Sequence, residues 1–151
     1  MDKDFFVREI EANGEKLYRV AWTLLRNNDD CRDALQETAL KAWEKRHTLR
    51  QPQFFSTWLT RILINECRNI QRRQRRTLPL EQAPEAASPP PDPTLSLALQ
   101  SLPEKLRLPL ALQYSEGMSY AEIARALRTT EASVRGRIHR AKEQLRRELE
   151  E

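Results

Sequence analysis

Residues 119–145, SYAEIARALRTTEASVRGRIHRAKEQL, contain two helical patterns separated by a short turn. Ser119 and Glu122 form a capping box, because the serine hydroxyl can accept a hydrogen bond from the backbone of Glu122 while the carboxylate bonds back. Thr130 closes the turn Arg128-Thr129-Thr130 and is placed to cap the second helix. Two helices joined in this way, with a helix preceding them, predict a helix-turn-helix.

The second helix of this motif is predicted to carry a basic outward face. Val134 and Ile138 give it an inward side, and cations recur opposite them. Arginine pairs with guanine edges, and any of these cations can neutralise phosphates. The alternative is an amphipathic surface helix with arginines for solubility, but capping box, short turn and basic helix together favour DNA binding. The predicted DNA-binding residues are Ser133, Arg135, Gly136, Arg137, His139 and Arg140.

Basic residues are concentrated in two runs, although the formal net charge is only +4. Six arginines between Arg61 and Arg76 accompany a single acid, Glu66, and a second run extends from Arg125 to Arg147. Two separated basic segments are typical of a protein that contacts a polyanion at two places. Either run taken singly is equally well explained as a solvated helix face.

Six of the nine prolines fall within Thr77–Thr94, TLPLEQAPEAASPPPDPT. This composition buries too little apolar surface to offset the entropy of ordering, and the proline triplet stiffens it. Three glycines in 151 residues, with abundant Leu, Ala, Arg and Glu, favour helix elsewhere. We therefore predict an all-α chain in which a Pro-rich linker, 77–94, joins two small helical domains, 1–76 and 95–151. The second is expected to be a three- or four-helix bundle, like a winged helix without its wing.

The first domain shows three or four helical patterns. One spans Asp4–Leu25, with Asn13-Gly14 as a candidate interruption. Asn28 is placed to cap the next, whose apolar positions recur at spacings of three and four. These positions are Cys31, Ala34, Leu35, Thr38, Ala39 and Ala42. A polar loop, Lys45–Phe54, precedes a further helix that begins near Ser56 and continues into the arginine run.

The second domain opens with a helical stretch, Leu95–Gln113, that contains two prolines. Pro103 suits a first helical turn, whereas Pro109 is expected to kink the helix or to begin a new one.

Several classes of function are disfavoured by the sequence. The two cysteines, Cys31 and Cys67, occupy apolar positions of helical patterns, so buried thiols are expected rather than a disulfide or metal site. Clustered carboxylates, a nucleophile–histidine pair and metal-ligand spacing are all missing, which argues against a nucleic-acid-processing enzyme. We expect no cofactor, no metal and no small-molecule substrate. Without a signal peptide or an apolar span, a cytoplasmic location is expected.

Several motifs resemble the sigma-70 family of RNA polymerase sigma factors. The segments that resemble its C-terminal domain are 102–104 (LPE) with Arg107, 116–120 (EGMSY), 122–124 (EIA), 134–135 (VR) and 137–141 (RIHRA). In the first domain, DALQE at 33–37 with Ala42-Trp43 resembles the family's polymerase-binding helix. Phe55, Trp58-Leu59, Arg61-Ile62 and Asn65 resemble its promoter-opening helix. Both halves match in order, without the additional regions of larger sigma factors, which points to the extracytoplasmic-function subfamily.

This resemblance implies an alternative sigma factor that binds core RNA polymerase and directs promoter recognition, local melting and transcription initiation. The first domain would dock on a coiled coil of the largest polymerase subunit and capture single-stranded −10 bases. The second would read the −35 element and meet the polymerase flap. Residues implied in polymerase binding are Asp33, Gln36, Glu37, Leu40 and Trp43; those implied at the −10 element are His47, Phe54, Arg61, Asn65, Arg68 and Arg72. An anti-sigma partner, often membrane-anchored in this family, is implied as well.

Some alternatives stay open at this point. Trp43 is as well explained by core packing as by contact with polymerase, and for Trp58 core packing is favoured. A stand-alone helix-turn-helix regulator is the competing function, although no leucine seam for dimerisation is evident. The turn Arg128-Thr129-Thr130 departs from the family's usual glycine followed by an apolar residue, and Gly136 replaces a small polar residue. That glycine would allow close backbone approach to DNA.

Overall fold

The computed structural model describes residues 1–77 and 98–150, which form two compact helical units divided between Ser88 and Pro89. Its described residues contain helices and turns but no strand, as predicted for an all-α chain. The linker predicted at 77–94 lies outside the described residues except for Thr77, which ends a helix.

The helices of the first unit are α1 (Lys3–Ala12), α2 (Gly14–Leu25), α3 (Asn28–Glu44) and α4 (Phe55–Thr77). The described part of the second unit contains α5 (Glu104–Tyr114), α6 (Tyr120–Leu127) and α7 (Glu131–Glu150), and residues 98–100 are also helical. The segment between α3 and α4, predicted as a polar loop, contains two 3₁₀ turns, Arg46–Thr48 and Pro52–Phe54.

The interruption anticipated in the first helical stretch is present at Asn13. Its side-chain nitrogen donates to the Glu9 carbonyl at 2.7 Å, which satisfies a carbonyl at the end of α1, and α2 begins at the next residue. The cap predicted for α3 was wrong by one residue. Asn27 is the N-cap, accepting from the Asp30 backbone at 3.0 Å, whereas the Asn28 side chain accepts from the Tyr18 hydroxyl at 2.6 Å.

The core of the first unit forms where α3 packs on α4, its most extensive helix partner. The buried side chains of α3 are small, which allows the two backbones to approach closely; they are Cys31, Ala34, Thr38 and Ala42. Larger side chains of α4 fill the space between the helices and α2: Phe55, Leu59, Leu63 and Ile64 are at most 2% exposed. The buried Thr38 hydroxyl donates to the Ala34 carbonyl at 2.6 Å, so it leaves no unsatisfied donor in this core.

An ion pair with a buried carboxylate joins the same two helices. Glu66 is 5% exposed, and its carboxylate accepts from the Lys41 ammonium at 2.5 Å. Glu66 is the only acid within the basic run of α4, and it points into the interface with α3. A buried carboxylate is costly unless it is paired, so Lys41 is required where it stands.

The second unit packs α5 and α6 against α7. Its fully buried side chains come from all three helices and include Leu108, Leu112, Ile123, Val134 and Ile138. The two prolines lie at different places relative to α5. Pro103 precedes α5 as its N-cap residue, and its carbonyl accepts from Leu106 and Arg107 at 2.9 Å.

Pro109 neither begins a helix nor ends one, because α5 continues through it from Glu104 to Tyr114. A proline inside a helix leaves the carbonyl four residues earlier without its donor. That residue is Lys105, which lies on the exposed side of α5, while Pro109 is buried and adds to the core. The missing hydrogen bond is thus tolerated at this position.

The helix-turn-helix forms as its capping residues predict. Ser119 Oγ accepts from the Glu122 backbone at 3.1 Å, and Glu122 Oε1 accepts from the Ser119 backbone at 3.0 Å. Thr130 Oγ1 accepts from the Ser133 backbone at 3.1 Å at the start of α7. Between these caps Arg128 adopts a left-handed conformation, with φ of 55°. The turn keeps the geometry for which glycine is usual, and the Thr129 N–H closes it on the Ala124 carbonyl at 2.9 Å.

Among the residues that the structure describes, no helix has both the length and the apolar character required to span a bilayer.

We predict that Lys41→Met lowers the free energy of unfolding of the first unit by about 2–3 kcal/mol, because it leaves the Glu66 carboxylate buried without a partner. Lys41→Met combined with Glu66→Leu should recover most of that loss, since a well-packed apolar pair replaces the ion pair. All three tryptophans, Trp22, Trp43 and Trp58, belong to the first unit, so tryptophan fluorescence during urea unfolding reports on it selectively. Equal midpoints for wild type and Lys41→Met would contradict a stabilising role of the pair.

Candidate nucleic-acid and protein interfaces

The side of α3 directed away from α4 forms one continuous exposed face. Asp33, Gln36, Glu37 and Leu40 recur at spacings of three, one and three, which places them along one side of the helix, and all four are exposed. We call these four residues the α3 face. Leu40 is 59% exposed within this acidic and polar surrounding. An apolar side chain ringed by polar groups is the composition of a protein-binding surface, with an apolar centre and a polar rim.

Trp43, grouped with these residues in the sequence, is half-buried at the edge of the α3 face. One neighbour is the Phe6 ring, whose centroid lies 5.0 Å away in an edge-to-face arrangement. Another is the Arg46 guanidinium, 3.7 Å from the ring centroid. The structure therefore gives Trp43 a packing role inside the first unit, while part of its surface stays accessible. Trp58 is likewise half-buried, with its ring 5.7 Å from that of Phe55.

The exposed side of α4 carries the predicted −10 residues. Arg61, Asn65, Arg68 and Arg72 are all exposed and recur at spacings of four, three and four, opposite the buried side of the helix. We call them the α4 stripe; with a rise of 1.5 Å per residue it is about 16 Å long. Glu66 does not weaken its positive charge, because that carboxylate lies on the buried side and is paired with Lys41. Arg72 donates to the side chain of Asn69.

His47 and Phe54 lie in the segment between α3 and α4, and both are exposed. Phe54 is 37% exposed immediately before the first residue of α4, so an aromatic surface adjoins the start of the helix that carries the stripe. Cations along a helix and a nearby exposed ring are the two features that bind single-stranded nucleic acid, through the backbone and by stacking.

On α7 the predicted DNA-binding residues divide into two sets. Arg135, His139 and Arg140 are exposed, on the side opposite the buried Val134 and Ile138. The remaining members, Ser133, Gly136 and Arg137, are half-buried. Arg137 lies at the flank of the core side, and its Nε is buried without a hydrogen-bond partner. Its guanidinium is therefore less available to DNA than those of Arg135 and Arg140.

Gly136 provides space for a neighbouring cation on α7. A Cβ at this position would lie 3.5 Å from Nη1 of Arg140, which is an ordinary van der Waals contact. The helix therefore has room for alanine at position 136 without displacing backbone.

Two residues that support these surfaces, Tyr120 and Arg46, were not among the site residues predicted from the sequence. The Tyr120 ring, at the start of α6, lies 5.2 Å from the guanidinium carbon of Arg135 on α7. Arg46 contacts Trp43 three residues earlier, a spacing that is visible in the sequence. Tyr120 and Arg135 are fifteen positions apart in the sequence and belong to different helices. No helical periodicity therefore predicts their contact.

Both cysteines are buried as free thiols, in agreement with the prediction from their apolar positions. Burial raises the pKa of the Cys31 thiol to about 12, despite an opposing backbone hydrogen bond at Asn27. Cys31 is therefore protonated at neutral pH and lacks the thiolate needed for nucleophilic or metal chemistry.

Two family models match the chain, one on each unit. Residues 10–77 match Sigma-70 region 2, and residues 94–145 match Sigma-70, region 4. The first match includes the α3 face and the α4 stripe, and the second includes the helix-turn-helix. The first match begins at residue 10, so residues 3–9 of α1 lie before it.

Curated relatives carry the same description. The chain is 34% identical to the ECF RNA polymerase sigma factor SigE of Mycolicibacterium smegmatis, over 91% of its own length and 58% of that protein. It is 30% identical to the ECF RNA polymerase sigma factor SigM of Mycobacterium tuberculosis, over 98% of its own length and 79% of that protein. With the ECF RNA polymerase sigma factor SigW of Bacillus subtilis it shares 27% identity, over 98% and 90%. The chain thus spans less than two thirds of the first relative and most of the other two.

Solved structures with a similar fold include the sigma factor RpoE of Bartonella quintana in complex with the anti-sigma factor NepR. That chain superposes with a TM-score of 0.79 at 25% identity, covering 99% of this chain and 98% of that one. CnrH, solved in complex with the cytosolic domain of CnrY, superposes with a TM-score of 0.72 at 24% identity. The match covers 96% of this chain and 87% of CnrH, and it shows that the two folds are similar.

We predict that Gly136→Ala raises the free energy of unfolding of the second unit by about 0.5–1 kcal/mol, because alanine is the better helix former and the site has room for its methyl group. Thermal unfolding of the second unit, which contains no tryptophan, is followed by helical circular dichroism. Its midpoint should be higher in Gly136→Ala than in wild type. Gly14→Ala, at the first position of α2, is the control and should leave this transition unchanged. A lower midpoint for Gly136→Ala would show that position 136 lacks the space that the structure gives it.

Proposed function

Because the chain belongs to the extracytoplasmic-function sigma factors of the sigma-70 family, we propose that it binds core RNA polymerase and directs it to promoters. There it would assist local melting of the DNA and the initiation of transcription. The observation that carries this proposal is the presence of both family regions in one chain, each with an exposed surface suited to a different partner. A stand-alone helix-turn-helix regulator is not favoured, since it would need only the second unit.

The α3 face is proposed to dock on polymerase, with Asp33, Gln36 and Glu37 around Leu40. Its acidic character suits a basic partner surface, and burial of Leu40 in a complementary pocket would supply much of the binding free energy. We propose that this contact is made with a coiled coil of the largest polymerase subunit. Trp43 would contribute mainly by supporting the end of α3, because its ring packs on Phe6 and Arg46.

The α4 stripe and the segment before it are proposed to hold the single-stranded −10 element. Bases that leave the duplex need a stacking surface and cations for the backbone, and Phe54, His47 and the stripe provide both. Asn65 differs from the arginines around it, because its amide can donate to and accept from a base edge. It is therefore the residue of the stripe best suited to reading a base.

Helix α7 is proposed to read the −35 element in the major groove. Arg135 and Arg140 would pair with guanine edges or phosphates, and His139 lies between them on the exposed side. The ring of Tyr120 limits the motion of the Arg135 side chain, which favours a defined base contact. Ser133, Gly136 and Arg137 would contribute less than the exposed cations, since they are half-buried.

The two units need not bind DNA tightly by themselves. Polymerase would hold the first domain, 1–76, and the second, 95–151, at promoter spacing and so raise the effective concentration of each at its element. The flap of polymerase is the proposed second contact. The reaction itself would be catalysed by polymerase, so we propose a binding protein that acts in the cytoplasm, without cofactor or small-molecule substrate.

An anti-sigma factor is the proposed regulator. The RpoE of Bartonella quintana is bound to such a protein in its solved structure. Sequestration of this kind would cover surfaces that polymerase needs, and the α3 face is the surface whose occlusion would block assembly most directly.

We predict that Gln36→Ala combined with Leu40→Asp weakens binding to core polymerase about a hundredfold, because it removes the apolar centre of the α3 face and buries a charge there. Co-purification with tagged core polymerase and titration by fluorescence anisotropy measure the effect. The fold should persist, since both residues are exposed.

Val7→Asp is the control for this variant. It introduces the same charge at an exposed apolar position of α1, outside the α3 face, and should bind polymerase like wild type. Retained co-purification of the Gln36→Ala/Leu40→Asp variant would remove the α3 face from the polymerase contact.

A further inference from the structure

The segment that joins α3 to α4 is held by its two ends rather than by its own side chains. Of residues 47–54, all are exposed except the half-buried Leu49. Within the segment, Phe54 N–H donates to the Gln51 carbonyl at 3.0 Å and the exposed Gln53 amide donates to the Gln51 side chain at 3.4 Å. Thr48 bonds back to the Lys45 carbonyl, at 2.8 Å from its N–H and at 2.6 Å from its hydroxyl. An exposed segment of this kind depends strongly on the contacts that fix its two ends.

The first end is fixed by Arg46. Its guanidinium lies over the Trp43 ring at 3.7 Å, and its Nη1 donates to the Trp43 carbonyl at 2.7 Å. A planar cation held at once by a ring face and by a carbonyl has little freedom left. Because that carbonyl belongs to the last turn of α3, Arg46 ties the beginning of the segment back to the helix.

The second end is fixed by Phe55, the first residue of α4, which is 2% exposed. Its ring lies 6.0 Å from that of Phe6 in an edge-to-face arrangement, and Phe6 in turn contacts Trp43 at 5.0 Å. A single side chain of α1 therefore links both ends of the segment. We call the set Arg46, Trp43, Phe6 and Phe55 the aromatic bracket.

We propose that Arg46 and Phe6 are positioning residues: the aromatic bracket holds the segment 47–54 in the conformation that receives a single-stranded −10 base. This inference rests on the proposed function, because it assumes that the segment binds promoter DNA. A loop that is ordered before binding loses less conformational entropy when DNA arrives, and affinity rises accordingly. Phe6 precedes the part of the chain that matches Sigma-70 region 2, which begins at residue 10, so this support comes from outside the matched region.

A direct phosphate contact is the competing role for Arg46, and salt separates the two. Loss of one phosphate contact reduces the salt slope of single-strand binding by about 0.7, whereas loss of a positioning contact weakens binding equally at all salt concentrations. The position of the guanidinium over Trp43 favours the second behaviour.

The test uses full-length chain assembled with core polymerase. The probe is a fluorescein-labelled single strand carrying the −10 region of a promoter mapped with the wild-type holoenzyme. Arg46→Met should weaken binding of this strand about tenfold, with the salt slope unchanged and with a smaller loss of affinity for core polymerase. Phe6→Leu, which keeps an apolar side chain in the core, should cause a loss in the same direction, again without change in the salt slope.

Arg50→Met is the matched control, because it removes the same charge from an exposed position of the same segment. Any loss that it shows should be accompanied by a smaller salt slope. A smaller slope for Arg46→Met would overturn the proposal in favour of a phosphate contact, and wild-type affinity would overturn it outright. A loss of polymerase affinity by Arg46→Met as large as its loss of strand affinity would also overturn the proposal, because it would show a general structural role. If no promoter can be mapped with the wild-type chain, the proposed function fails instead.

Discussion

The first unit depends on the close packing of α3 against α4. Small side chains on α3, from Cys31 to Ala42, let the helices approach, and the Lys41–Glu66 pair crosses their interface. Once the buried sides are fixed, helical geometry determines what is left outside. The opposite side of α3 becomes an acidic face around Leu40, and the opposite side of α4 becomes a cationic stripe. Sequestering Glu66 has a second effect, because it removes the only acid of the basic run from that surface.

The second unit follows the same logic on a smaller scale. Its capping box and Thr130 fix where α6 and α7 begin, and the left-handed Arg128 fixes the turn between them. With Val134 and Ile138 buried, Arg135, His139 and Arg140 must face outward. Both units depend on rigid helices that present side chains, and the segment 47–54 is the exception that needs separate support.

Periodicity and capping predicted most of the fold, because burial in helices repeats at three and four residues and caps use few residue types. The faces of α3 and α4 and the caps at Ser119 and Thr130 could be read in this way. Pro109 could not, because whether a helix tolerates proline depends on the solvent exposure of the carbonyl it leaves unpaired. Contacts between distant elements, such as Phe6 with Trp43 or Tyr120 with Arg135, left no local signal either. The contacts with polymerase and promoter stay predictions, supported by exposure and chemistry.

The most direct test of this account is start-site mapping with purified components. Core RNA polymerase would transcribe fragmented genomic DNA of the host with and without the chain, and the 5′ ends of the transcripts would be sequenced. A sigma-factor role predicts start sites that appear only with the chain and that share two upstream sequence elements at a fixed spacing, one for each unit. Identical start sites in both reactions would contradict it, as would tight sequence-specific binding to duplex DNA without polymerase and without any effect on initiation.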